Sequence, residues 1–141
     1  MNILLISAYF PPEVGSAAHL FHDLGIEFVK RGHSVSVLTG YPAYNVDAEK
    51  LPPQYRTGKR MTETVNGMQV VRLRSPRMPR HVPVLRGIEQ VLMAVRFALG
   101  GLFHVSRQVN VVLVYSPPLF LGLSALAIRW FRRTKVVVNI Q

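Results

Sequence analysis

MNILLISAYFPPEVGSAAHL (residues 1–20) decides the fold of this chain. Asn2 to Ser7 is apolar on both faces, which suits a strand at the centre of a parallel sheet and not a half-solvated hairpin. From Ala8 to Val14 the chain leaves the sheet through Pro11 and Pro12, residues that forbid both a strand and the interior of a helix. Gly15-Ser16-Ala17-Ala18 then opens a helix. A strand, a small-residue turn and a helix N-terminus together place backbone N–H groups at the carboxyl edge of a sheet. The first helical amides have no internal partner and the helix dipole is positive there, so the turn favours an anion. The expectation is that this turn faces a phosphate-bearing substrate.

The pattern continues outward from that stretch. Leu20, Leu24 and Phe28, with Phe21 and Val29 beside them, form a stripe at helical spacing over Ser16 to Arg31. Lys30 and Arg31 suit the negative end of the dipole, and Gly32 suits a C-cap. Ser34 to Thr39 (SVSVLT) is the second strand, so the unit is a βαβ crossover with short connections. His33 lies at the helix-to-strand joint, on the opposite edge from a carboxyl-end site. Gly40 to Arg60 is a long loop with three prolines and three tyrosines, starting at the same edge as the Gly15 turn. Tyr41 and Tyr44 have the chemistry to stack on a sugar or base, and Lys59 and Arg60 to meet phosphate; an ordinary surface excursion is the plainer alternative.

Met61 to Arg74 reads as a β-hairpin turning at Asn66-Gly67. Alternatively, Val70 to Arg74 joins the main parallel sheet while the preceding segment pairs at its edge. Val84 to Arg107 is a long helix. Its expected buried seam is Ile88, Leu92, Val95, Leu99 and Leu102, with Arg86, Glu89, Arg96, His104 and Arg107 opposite, and Met93 and Phe97 among them. Cations mixed with large apolar residues are what an interfacial membrane helix presents, and a solvated basic face is the plainer reading. Arg96 interrupts the apolar stretch, which leaves neither flank at the ~18 residues that a membrane span needs. Val111 to Tyr115 is another buried strand, ending at Ser116-Pro117. An apolar helix follows over Leu119 to Arg129 and closes on Arg129-Trp130-Phe131-Arg132-Arg133, which suits a headgroup layer or a helix end packed on a neighbour. Lys135 to Gln141 is a last strand. A strand ending without a following helix is expected to be the front part of a longer α/β design.

Composition bounds the function. The chain has 141 residues, 49% of them hydrophobic, enough for one domain with a core. It has no cysteine, which excludes disulfides and thiolate metal sites and is compatible with the cytoplasm. Lys and Arg outnumber Asp and Glu by 17 to 7, for a net charge of +10, which favours phosphate-rich partners: nucleic acid, an anionic membrane face or a nucleotide sugar. The N-terminal apolar run has no basic leader and is too short for a signal peptide.

The stretch from Met1 to Asn45, with strand–YFPPE–small–small–Ala–helix–RGH–strand–Thr–x–YP, closely resembles the opening of family 4 retaining glycosyltransferases. VYSPPLFLGLSAL and KVVVNIQ are similar to later elements of the same family, so the likeness covers essentially the whole chain. The nearest likeness is to enzymes of capsule, O-antigen or colanic-acid synthesis. The resemblance implies an α/β, Rossmann-like open parallel sheet with helices on both faces, the N-terminal, acceptor-side half of a GT-B fold. Residues 1–141 would then be an incomplete N-terminal domain, with the C-terminal donor domain and its E-x7-E segment absent and transfer by this chain alone weak or nil.

By resemblance, Glu13, Gly15, Ser16 and Ala17 belong to a loop that approaches the donor diphosphate or the acceptor. The small residues there fit close backbone approach. Tyr41, Pro42 and Tyr44 match an acceptor-side loop, and Ser116 and Pro117 match the cleft edge where many relatives carry a histidine. The implied partners are a nucleotide-sugar donor as co-substrate, a lipid-linked or saccharide acceptor and an anionic membrane surface, with no metal, no other cofactor and no nucleic acid. The expected location is cytoplasmic, peripheral at the inner face of the membrane, with Arg96, Phe97, Trp130 and Arg132 as membrane contacts. Two rival classes have weaker support. A dinucleotide-binding domain lacks its G-x-G-x-x-G after the first strand and an acidic residue after SVSVLT. A nucleic-acid-binding module has only the charge in its favour.

Overall fold

The expected first strand, β1 (Asn2–Ile6), has parallel neighbours on both sides and is fully buried from Leu4 to Ile6. The computed structural model describes residues 1–43, 46–47, 49–76, 78–79, 81–106, 108–116 and 119–140. Along the chain follow α1 (Ser16–Lys30), β2 (Ser34–Gly40), a 3-10 turn (Pro53–Tyr55), β3 (Arg60–Val65), β4 (Met68–Leu73), α2 (Pro83–Phe103), β5 (Val111–Ser116), α3 (Phe120–Arg132) and β6 (Lys135–Ile140). The sheet order is β3-β4-β2-β1-β5-β6, and only the β3–β4 pair is antiparallel. This is an α/β, Rossmann-like architecture: a mostly parallel sheet flanked by helices.

Both readings of residues 61–74 hold together. Asn66 (φ 49°) and Gly67 (φ 80°) close a two-residue turn of the left-handed kind that matches strand twist. β4 then joins β2 in parallel and leaves β3 as the edge strand.

The sheet divides two apolar layers, because alternate residues of a strand face opposite sides. Leu4, Ile6, Leu38, Val112 and Val114 meet Phe97 of α2 and Leu121, Ala125 and Ile128 of α3. Ile3, Leu5, Val35 and Val37 meet Phe21 of α1.

The helices bury faces other than those the large apolar residues suggest. α1 buries Ala18, Phe21 and Gly25, while Leu20 is exposed. α2 buries Ala94, Phe97, Gly100 and Gly101, whereas Ile88, Leu92, Val95 and Leu99 are exposed and Leu102 is only partly buried. The reason is close approach. A Cβ on Gly100 would lie 2.4 Å from Leu73 Cδ1, and one on Gly101 would lie 2.3 Å from Ile128 Cδ1. The glycine face lets α2 settle against the sheet and α3, and the Ile, Leu and Val seam turns outward. α2 also ends at Phe103 and not at Arg107, and α3 runs on past Arg129 to Arg132 before Arg133 adopts a left-handed conformation.

Candidate functional site at the carboxyl edge of the sheet

The helices change sides of the sheet at β1. α1, which leads to β2, packs on one layer; α2 and α3, which lead to β5 and β6, pack on the other. In such sheets a crevice opens outside the carboxyl ends of the strands at this switch. By that rule the place for a ligand here is between the loop after β1 and the end of β5.

The loop after β1 is built to hold its shape. Ser7 Oγ donates to the Tyr9 carbonyl at 2.8 Å and accepts the Tyr9 amide at 3.3 Å. Phe10 is fully buried, and the Pro11–Pro12 peptide bond is cis. Glu13 is 2% exposed, and its carboxylate accepts the Phe10 amide at 3.2 Å and the Ala43 amide at 2.8 Å. Glu13 therefore does not face a substrate, contrary to expectation. Its charge is held by backbone donors and ties the two loops of this edge together.

Arg72 of β4 fastens the same loop from below. It is fully buried, its Nε donates to Glu63 Oε1 at 2.6 Å, and its Nη atoms donate to the carbonyls of Pro11 and Gly40. Tyr55 completes the cluster: its hydroxyl donates to Glu63 Oε2 at 2.8 Å, and its ring lies 5.2 Å from the Arg72 guanidinium carbon. Burial, and then the hydrogen bond to Glu63, push the Tyr55 phenol above its ordinary pKa. Arg72 carries no role in the sequence reading, although a signal for it exists. The Asn66-Gly67 turn sets Val65 opposite Met68, so Glu63 lies diagonal to Arg72 on the neighbouring strand.

Above this base the chain opens. Gly15 is the N-cap of α1, no side chain caps the helix, and Ser16 is exposed. Gly15 has an extended backbone (φ 176°), and a Cβ there would meet nothing within 4 Å. The fold thus does not require glycine, and no side chain occupies the start of α1. Ala17 is partly buried against the α1 layer. Ser116 ends β5 at the same edge and is buried.

Other expected contacts lie elsewhere. Tyr41 is buried with the Arg74 guanidinium 4.4 Å from its ring centre, so that face is not open to a sugar. Arg60 bonds the His104 ring, 2.6 Å from Nδ1. Tyr44 and Pro117 lie outside the described residues. Of the expected membrane contacts, Phe97 is fully buried in the core, which removes it from any surface. Arg132 donates to the carbonyls of Leu102, Val105 and Ser106 and closes the end of α2. Arg96 is exposed and donates to the Arg74 carbonyl. Trp130 is 84% exposed. His33, as expected, sits at the opposite edge beside Asn2 and Ser34.

Among the described residues no cluster of His, Asp and Glu is placed to hold a metal ion. No helix is long and apolar enough to cross a membrane among the described residues. No protein-family model and no curated protein matches the chain.

Proposed function

We propose that this chain is the acceptor-binding part of a GT-B glycosyltransferase that moves a sugar from a nucleotide-sugar donor to a lipid-linked or polysaccharide acceptor in cell-surface polysaccharide synthesis, working peripherally at the cytoplasmic membrane face. One observation carries the reading. The uncapped N-terminus of α1, with open space at Gly15, stands at the carboxyl-edge switch point of a Rossmann-like sheet. Such a place suits a phosphate or diphosphate group, received by backbone amides and a positive helix dipole. The resemblance of residues 1–45 to family 4 glycosyltransferases supplies the chemistry of the substrates. Glu13 and Arg72 serve it indirectly, by fixing the loop that presents those amides.

A lipid-linked saccharide carrying a diazirine near its diphosphate tests the reading. After irradiation, mass spectrometry is expected to find the label in residues 8–17 and near Ser116. Labelling that avoids the carboxyl edge, or no labelling above a non-phosphorylated saccharide control, would overturn it.

A further inference from the structure

The outward faces of α2 and α3 are apolar over their whole length. On α2, Val84, Ile88, Val91, Val95 and Leu99 recur in steps of four and three, and all are exposed. On α3 and its N-cap, Leu119, Leu123, Leu126 and Trp130 do the same. The two helices pack side by side, with Gly101 against Ile128 and Arg132 on the end of α2, so the stripes form one surface. The first half of α2 has no buried residue at all. Phe103 and Phe131, both exposed, lie at the end where Trp130 stands. Contiguous apolar area of this kind marks a docking surface.

The charges around it choose the occupant. From Pro83 to Lys135 the sequence carries a single carboxylate, Glu89, against seven basic side chains. A second copy of the chain would bring like charge to like charge. At the aromatic end, Leu126, Arg129, Trp130, Arg133 and Thr134 line an open groove of about 670 Å³. Thr134 is buried, and its hydroxyl has no hydrogen-bond partner among the described residues. Two guanidinium groups beside an exposed tryptophan match an anionic phosphate headgroup at a bilayer interface.

We infer that the α2–α3 face lies flat on an anionic lipid bilayer, its aliphatic stripes in the acyl boundary and Arg129 and Arg133 on lipid phosphates. This rests on the peripheral location proposed above and gives it a surface. α3 starts directly beyond β5, so the docked face runs up to the carboxyl edge. An acceptor whose lipid tail stays in the same bilayer can then present its head to the Gly15 turn.

The single tryptophan of the chain reports on the face directly. The whole chain is mixed with vesicles of phosphatidylcholine alone, or with phosphatidylglycerol added, and followed by flotation and by tryptophan emission. Binding to the anionic vesicles with a blue shift of Trp130, and quenching by brominated lipid, is expected. Arg129→Gln and Arg133→Gln are each expected to weaken binding about fivefold. Val95→Glu with Leu123→Glu, at exposed positions that spare the core, is expected to abolish it at any salt. No flotation with anionic vesicles, flotation without the blue shift, or full binding by the double Glu variant would each overturn the inference. So would an emission that is already blue-shifted without lipid and reddens on dilution, the mark of a self-associated face. Binding of a soluble saccharide diphosphate reads the carboxyl-edge site separately. Its retention in a chain that ignores vesicles removes the docking surface and leaves the substrate reading intact.

Discussion

The carboxylate of Glu13 accepts the amide N–H of Ala43 at 2.8 Å, across thirty residues of sequence, and so joins the loop after β1 to the loop after β2. Its other oxygen holds the Phe10 amide of its own loop. A single buried side chain thereby sets the shape of the edge on which the candidate site stands. Glu13→Ala leaves two backbone amides without their acceptor. The expected cost is about 2–3 kcal/mol in urea unfolding, since buried donors without partners pay their desolvation in full. Retention of wild-type stability would show that these loops are not held by Glu13.

Arg72 and Glu63 form the second fastening, with Arg72 fully buried and Glu63 partly buried. Removing Arg72 takes the donor from the Glu63 carboxylate and from the carbonyls of Pro11 and Gly40. Arg72→Met is expected to lose about 2–3 kcal/mol of stability, from acceptors left without their donor. It should also loosen residues 8–15, because the Pro11 carbonyl loses its donor. Amide hydrogen exchange in that segment should speed up more than in β5 or β6.

Tyr55 gives this cluster an alkaline signature. Its phenol is held protonated in the folded chain beyond the ordinary value, through burial first and the Glu63 bond second. A raised pKa of this kind adds stability that is whole below about pH 10 and is lost as pH rises through the folded value. The wild-type urea midpoint should therefore fall more steeply above pH 10 than that of Tyr55→Phe. Parallel curves for the two proteins would contradict the assignment.

The reversed face of α2 makes a paired prediction with its glycines. Gly87 has open space around it, so Gly87→Ala should stabilise by up to about 1 kcal/mol through helix propensity alone. Gly101→Ala meets Ile128 Cδ1 at 2.3 Å and should destabilise, because overpacking of about 1–3 kcal/mol exceeds that gain. Thermal melts of the two variants should move in opposite directions. Equal shifts would mean that α2 buries the other face.

The sheet was legible because it follows from local chemistry. The apolar run Asn2–Ile6, the Asn66-Gly67 turn and the short links around α1 each allow few alternatives. The helix faces were not legible from the large residues. Gly25, Gly100 and Gly101 make the buried surfaces, and a periodicity that counts only bulky apolar side chains is blind to them. The place of the candidate site was legible in Gly15 and Ser116, since strand ends and helix starts locate the carboxyl edge. The roles of Glu13 and Tyr41 were not. A carboxylate satisfied by Ala43 and a tyrosine covered by Arg74 look the same in sequence as ones left open to a ligand.

The most direct test is amide chemical-shift mapping of the labelled chain with a soluble prenyl diphosphate, beside the same experiment on Gly15→Ala. The substitution has room in the fold and an extended backbone that any residue adopts. Saturable shifts at Gly15–Ala18 are expected in the wild type, with binding weakened in the variant while stability changes little. Shifts confined to residues 126–134, or equal affinity in the two proteins, would contradict a diphosphate site at the start of α1.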